Sequence, residues 1–233
     1  MRFSRWRAAG NEYLLAERSE LGEPLAPERV REEVGSSDGI LEVVSTDGAK
    51  AEIVIWNPDG SIAEMSGNGT RIAARWLSER SGAHEVRILV GSREVTAKML
   101  GDEVEQDLGP VEVYERERVA GLEVTAVSVG NPHAVVVGDP DDIPLVGPLL
   151  ETHPRYPERT NVQVARIDGP GRVTARVWER GVGETRSSGT SAVAVAAVTH
   201  GQGDVVVSFP GGDLRVRLED GRAWLTGPAE RVE

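Results

Sequence analysis

Two loops carry the side chains best suited to chemistry. The first reads Asn57-Pro58-Asp59-Gly60-Ser61-Ile62-Ala63-Glu64-Met65-Ser66-Gly67-Asn68-Gly69-Thr70-Arg71. The second reads Glu179-Arg180-Gly181-Val182-Gly183-Glu184-Thr185-Arg186-Ser187-Ser188-Gly189-Thr190-Ser191. Each sets a serine, a glycine and a small polar residue in front of a helical pattern. At such a helix start the unpaired backbone N–H groups and the positive dipole end bind anions. A glycine lets the anion approach the backbone closely. Taken singly, Ser66 or Ser188 reads as a helix cap. Taken together they read as a functional pair. Two related helix ends facing one cleft would hold a carboxylate between two reactive side chains. One group would remove the Cα proton of an amino acid, and the other would return a proton to the opposite face. The product has inverted configuration. If the helix dipoles stabilise the charge building on the carboxylate, no cofactor is needed.

Other polar residues suit a zwitterionic ligand. Asn11, Asn57, Asn131 and Asn161 lie at turns or strand ends, where asparagine also serves the turn itself. Glu179-Arg180 follows an apolar strand directly, and turn chemistry does not require a charged pair there. Arg180 can hold a second carboxylate bidentately, and Glu179 an ammonium. His133, in Asn131-Pro132-His133, is either a cleft residue or a structural one.

Composition removes several alternatives. There is no cysteine, so disulfides, thiolate metal sites and thiol catalysis are out. The four histidines stand far apart without ligand spacing, and no metal is expected. The only lysines, Lys50 and Lys98, lie outside any motif, which argues against a Schiff-base cofactor. Neither serine sits in a Gly-x-Ser-x-Gly elbow. The net charge of −12 is spread over alternating acidic and basic residues with no basic tract, so no nucleic-acid partner is expected. No stretch approaches the roughly 20 apolar residues of a membrane helix. The opening Met1-Arg2-Phe3-Ser4-Arg5-Trp6 lacks the apolar core of a signal peptide. The expectation is a cytoplasmic protein with no membrane partner.

The elements that must position these loops repeat. Gly10-Asn11 returns 120 residues later as Gly130-Asn131. Ile55-Trp56-Asn57 with Ser66-Gly67 returns as Val177-Trp178-Glu179 with Ser188-Gly189, and ten positions separate Trp from Ser in both copies. Gly109-Pro110 returns as Gly227-Pro228. Three landmarks in one order indicate a duplication. Each copy runs from a strand into Gly-Asn, through alternating apolar residues (Ile53 and Ile55; Val173, Ala175 and Val177), into a Gly-rich loop and a helix. The first helix is expected from Gly67-Asn68 to about Arg80, with Ile72, Ala73, Trp76 and Leu77 at helical spacing. The second is expected from Thr190-Ser191 through Val198. It is apolar almost all round and should be buried. Strands are expected at 85–90, 94–99 and 104–108, then at 204–209, 214–218 and 223–226. A further helix spans 27–34 with proline in its first turn. The five tryptophans sit in strand-like runs. The domain division expected is 1–113 and 114–225, with a final strand 226–233 returning to the first domain.

At these loops the sequence resembles the diaminopimelate epimerase family. The matching segments are Gly10-Asn11, Asn57 to Arg71, Gly130-Asn131-Pro132-His133, Thr160-Asn161-Val162, and Trp178-Glu179-Arg180-Gly181 through Gly183-Glu184-Thr185 to Gly189-Thr190. They cover most of the chain in the family's order. The resemblance implies an α/β (α+β) fold of two pseudo-symmetric duplicated domains. Each would be a curved, mainly antiparallel sheet around a central helix, with the active site between them. It implies a cofactor-independent isomerase that interconverts LL- and meso-diaminopimelate by two-base proton transfer at Cα, in lysine and peptidoglycan biosynthesis. By motif position Ser66 and Ser188 take the places of the two acid/base residues. Gly67, Asn68, Gly189 and Thr190 would hold the reacting carboxylate. Asn11, Asn57, Asn131, Asn161, Glu179 and Arg180 would hold the rest of the substrate. The partner is thus a small-molecule amino acid, and a homodimer is compatible with the sequence.

The family uses cysteine at both acid/base positions, and this chain has serine at both. An alkyl hydroxyl is a far weaker acid than a thiol, which titrates at about 8.5 and is tuned by helix N-termini. Three accounts stay open: a natural variant that keeps the reaction with help from a neighbour, a move to another chemistry, or engineered replacements. The alternatives in function are a related lyase or racemase acting on another amino acid, and a non-catalytic amino-acid-binding protein.

Overall fold

The computed structural model describes residues 3–232, so Met1 and Arg2 of the opening segment and Glu233 of the expected closing strand lie outside the described residues. The chain divides into two compact units, Met1–Asp107 with Thr226–Glu233, and Leu108–Leu225.

In the first unit β1 (Ser4–Ala8) and β2 (Asn11–Glu17) form a hairpin. Its two-residue turn, Ala9 and Gly10, has φ of 47° and 81°. Two positive φ values in succession match the right-handed strand twist, and glycine at the second position carries one of them without a Cβ clash. The turn leaves Asn11 as the first residue of β2. Two short helices follow, α1 (Arg18–Leu21) and α2 (Pro27–Glu33), then β3 (Gly39–Asp47) and β4 (Lys50–Trp56). Next come α3 (Gly67–Ser81), β5 (Glu85–Val90), β6 (Arg93–Leu100) and β7 (Glu103–Pro110). The β2–β3 and β4–β5 pairs are parallel, whereas β3–β4, β5–β6 and β6–β7 are antiparallel. A parallel pair needs a crossover long enough to bring the chain back. Helices α1 and α2 supply the first and α3 the second. Ile72, Ala73, Ala74 and Leu77 of α3 pack against Leu15, Leu41, Ile53, Ile55 and Ile88 in one apolar cluster. The helix ends at Gly82, whose φ of 74° carries the left-handed cap and whose N–H bonds to the Ser78 carbonyl.

The second unit repeats the scheme. Its elements are β8 (Glu112–Val119), β9 (Leu122–Ser128), β10 (Pro132–Val137), α4 (Ile143–Glu151), β11 (Asn161–Gly169), β12 (Arg172–Glu179), β13 (Gly183–Thr185), α5 (Gly189–Thr199), β14 (Gly203–Phe209) and β15 (Gly212–Glu219). Here β10–β11 and β12–β14 are parallel, and β11–β12 and β14–β15 antiparallel. The crossovers are α4 and α5. Parallel, antiparallel, parallel, antiparallel is the same order as in the first unit, and it bears out the duplication read from the three landmarks. Residues Gly189 to Ala197 of α5 are all buried, as its all-round apolar surface requires. The chain closes with β16 (Arg222–Pro228) and β17 (Glu230–Arg231), the latter antiparallel to β1 through Trp6↔Arg231 and Arg7↔Glu230.

Helix α4 was not anticipated, because Pro144 and Pro148 interrupt its pattern. Pro144 lies in the first turn, where its missing N–H has no intrahelical partner to lose, and the helix tolerates Pro148 inside it. Trp76 lies on α3, as its helical spacing with Ile72, Ala73 and Leu77 predicts, rather than in a strand-like run.

Candidate functional site

In the first unit the chemistry gathers at the start of α3. Ser66 is the N-cap residue, and its Oγ accepts from the Gly69 N–H at 3.0 Å. Its second contact was not foreseen. The Tyr13 hydroxyl lies 3.1 Å from Ser66 Oγ. Tyr13 stands two residues after Asn11 on β2, so both point to the same face of the strand, and both are buried. The Tyr13 ring lies on Gly39, its partner in the parallel register. A Cβ at Gly39 would come within 2.9 Å of the ring and 2.4 Å of the Trp56 carbonyl, so this position admits no side chain.

Gly67 and Asn68 follow Ser66 and are buried in the first turn. The Asn68 carboxamide oxygen accepts from Arg71 Nη2 at 2.7 Å, and Arg71 Nε donates to the Pro228 carbonyl at 3.1 Å. Arg71 is fully buried, and its Nη1 has no hydrogen-bond partner among the described residues. Burial pushes its guanidinium down to about 10, which still leaves it charged at neutral pH. Buried Gln106 pins the same turn. In the orientation that satisfies both ends of its amide, it donates to the Gly67 carbonyl and accepts from the Arg71 N–H, each at 2.9 Å. Asn57 behaves differently. Its Nδ2 donates to Ser61 Oγ at 2.9 Å, and Asp59 accepts from the Ser61 N–H and hydroxyl, so this side chain is used within its own loop.

In the second unit Ser188 is the N-cap residue of α5, but its side chain makes no cap hydrogen bond. Gly189 and Thr190 follow it, both buried. A relay of side chains reaches this turn. Asn131 Nδ2 donates to Thr190 Oγ1 at 3.3 Å. The Asn131 oxygen is then left to accept from His133 Nε2, 2.9 Å away, which puts the imidazole proton on Nε2. Nδ1 is therefore an acceptor, and Gln163 Nε2 donates to it at 3.0 Å. The same Gln163 nitrogen donates to Ser191 Oγ at 3.0 Å. Burial pushes His133 down to about 3, so the imidazole is neutral across the physiological range. It orients its neighbours and carries no charge.

Asn161 begins β11 and joins two loops. Its Nδ2 donates to the Pro132 carbonyl at 2.9 Å, and its Oδ1 accepts the Arg180 N–H at 3.0 Å. Glu179 accepts from the Thr185 hydroxyl at 2.5 Å, and Arg180 Nη1 donates to the Glu158 carbonyl at 3.3 Å.

Sequence reasoning also missed two buried carboxylates under the strand tryptophans. In the first unit Trp56 Nε1 donates to Glu42 at 3.0 Å, and Arg18 Nε donates to the same carboxylate at 2.8 Å. Burial would raise the Glu42 carboxyl, but hydrogen bonds from Arg18, Trp56 and the Leu25 N–H prevail and hold it below the usual carboxylate range. In the second unit Trp178 Nε1 donates to Glu151 at 2.7 Å, the Gly181 N–H does so at 2.7 Å, and Arg159 pairs with it at 2.6 Å. The Trp178 indole packs on Gly147, where a Cβ would approach within 2.6 Å. Glu151 thereby fixes the loop that starts at Glu179-Arg180. The available signal was a glutamate inside the apolar run of β3 and one at the end of the apolar run of α4.

Among the described residues no cluster of three or more His, Cys, Asp and Glu side chains is arranged to hold a metal ion, and no helix is long and apolar enough to cross a membrane.

Comparison with known proteins agrees with this architecture. The family model described as diaminopimelate epimerase matches residues 15–114 and 125–232, one segment in each copy. Diaminopimelate epimerase of Synechocystis sp. is 35% identical, over 99% of this chain and 96% of its own length. The protein of the same name from Synechococcus elongatus is 36% identical, over 100% and 96%. Among solved structures, a hydroxyproline epimerase from Agrobacterium vitis superposes with a TM-score of 0.72 at 16% identity, over 98% of this chain and 88% of its own, and it supports the fold. The duplicated α+β architecture and these full-length matches lead to one assignment: the chain belongs to the diaminopimelate epimerase family of isomerases.

Proposed function

We propose that this chain interconverts LL- and meso-diaminopimelate by cofactor-independent two-base proton transfer at Cα. Ser66 serves one face of the reacting carbon and Ser188 the other. The observation that carries the reading is the recurrence of one device in both units, a buried helix opened by Ser-Gly. The backbone N–H groups of Gly67, Asn68, Gly189 and Thr190 stabilise the carboxylate as negative charge spreads onto it from Cα. Asn11, Asn57, Asn131, Asn161, Glu179 and Arg180 bind the remaining polar groups of the substrate. His133, neutral and hydrogen-bonded on both nitrogens, orients Asn131. The names of the full-length relatives support diaminopimelate as the substrate.

The test is conversion of LL-diaminopimelate followed by chiral chromatography. The wild-type chain forms the meso isomer. Ser66→Ala and Ser188→Ala each abolish conversion while calorimetry still detects binding. Full rate in both variants would refute the two-base reading.

The serines themselves favour one second reading, a non-catalytic amino-acid-binding protein. Tight calorimetric binding of the same amino acid by the wild-type chain, with no isomer formed, would establish it.

A further inference from the structure

We propose that Tyr13 is the proton partner of Ser66 and compensates for the weak acidity of an alkyl hydroxyl. The proposal rests on the assignment of Ser66 as an acid/base group. A serine oxygen has two lone pairs and one proton. The Gly69 N–H occupies one lone pair at 3.0 Å, and the Tyr13 oxygen lies 3.1 Å away. When Tyr13 donates, both lone pairs are filled, and the Ser66 proton is left to point toward a carbanion. When the Ser66 proton passes to Tyr13, an Oγ lone pair is left to accept a Cα proton. The position of one proton between two oxygens therefore sets Ser66 as acid or as base.

The step balances without any further reactant. In the base direction the Cα–H bond breaks and its electron pair stays on carbon. The Cα proton forms a new O–H bond on Ser66, and the old Ser66 proton passes to the Tyr13 phenolate oxygen. In the acid direction every bond change reverses. A phenol titrates near 10, within reach of a tuned site. The buried Arg71 guanidinium interacts electrostatically with Tyr13 and with Glu103, and a cation near a phenol favours its ionised form. The ring is held by its packing on Gly39, so its hydroxyl can be removed without releasing the ring.

Tyr13 acts through Ser66 and is a positioning and proton-relay residue, so its test is a double-mutant cycle. Wild type, Tyr13→Phe, Ser66→Cys and the double variant are assayed for kcat and KM with LL- and meso-diaminopimelate, after circular dichroism has confirmed folding. Tyr13→Phe should lower kcat by about 10²–10⁴-fold, the range of one acid/base group, and change KM by less than about threefold. In the Ser66→Cys background the same substitution should cost less than about tenfold, because a thiol at a helix N-terminus ionises unaided. An equal loss in both backgrounds would make the hydroxyl merely structural and overturn the proposal. So would an active wild type with an unimpaired Tyr13→Phe, which leaves the two-serine reading intact. A wild type inactive on both isomers overturns that reading and the proposal together.

Discussion

Tyr13 and His133 occupy the same place in the two repeats, two residues after the asparagine of a Gly-Asn turn. Each starts a parallel register, Tyr13 with Gly39 and His133 with Asn161. Their polar atoms are used differently. Tyr13 reaches the cap serine itself, whereas His133 closes a relay that ends on Thr190 and, through Gln163, on Ser191. One position under each helix start accounts for the difference. In the first unit Leu41 lies against Gly69, with 3.0 Å to where a Cβ would stand. In the second the repeat-equivalent pair is Gln163 and Ser191, which form a hydrogen bond. At this position the first unit has an apolar side chain against Gly69, and the second has a polar one bonded to Ser191. Duplication has preserved the backbone frame, and the side chains on it form different hydrogen-bond networks.

Four experiments test this contrast. The largest effect is expected from restoring thiols. Ser66→Cys/Ser188→Cys should raise the rate of Cα proton exchange by about 10²–10⁴-fold. Of the single variants Ser188→Cys should gain more, because Ser66 already has a phenol beside it. Equal gains, read from exchange rates by NMR, would erase the difference between the repeats.

Next come the carboxylates under the tryptophans, where the repeats should behave alike. Glu42→Ala strands the Trp56 N–H, and Glu151→Ala strands the N–H groups of Trp178 and Gly181. Each should cost about 3 kcal/mol in urea unfolding. A loss below about 1 kcal/mol in either would show that the device is not shared.

His133 should make the second repeat sensitive to mild acid. Its folded value of about 3 lies below the ordinary 6.5, so between these values the unfolded chain binds more protons and stability falls as pH falls. From pH 6.5 to pH 5 the loss should be about 1–2 kcal/mol, and His133→Gln should flatten it. Tyr13→Phe should leave that slope unchanged. Glu42 is lowered in the folded state, so its contribution is lost only at lower pH, as the carboxylate range is entered.

The smallest effect separates the caps. Ser66→Ala should cost about 1 kcal/mol of stability, as removal of a working N-cap does. Ser188→Ala should cost less than Ser66→Ala, because the Ser188 side chain makes no cap hydrogen bond to lose. Matching losses in thermal melts would contradict the recorded difference in capping.

The frame of the molecule was legible where the signal is local. Helices α3 and α5 show in apolar spacing and in the Ser-Gly start, and β4 and β12 show in alternation. What stayed hidden depends on register. Tyr13 and Ser66 are 53 residues apart, and only the β2–β3 pairing and the β4-to-α3 connection bring them together. The clue was the repeat itself, since aligning Gly10-Asn11 with Gly130-Asn131 sets Tyr13 against His133. Glu42 and Glu151 were obscured for a related reason. They do one job from unrelated elements, β3 and the end of α4, so the duplication does not align them. Ser188 resembles Ser66 in sequence, yet only Ser66 forms the cap bond that its residue type suggests.

On the proposed function, the two repeats supply two separate acid/base groups. The most direct measurement is the fate of deuterium in the first few per cent of turnover. LL-diaminopimelate would be incubated with the wild-type chain in deuterium oxide, and product and recovered substrate analysed by NMR and mass spectrometry. With two groups, one deuterium is expected at the inverted Cα of the meso product and almost none in the recovered LL substrate, because the group that returns a proton is not the one that removed it. Deuterium in product and recovered substrate alike would mean that a single group serves both faces, which rules out the two-base reaction.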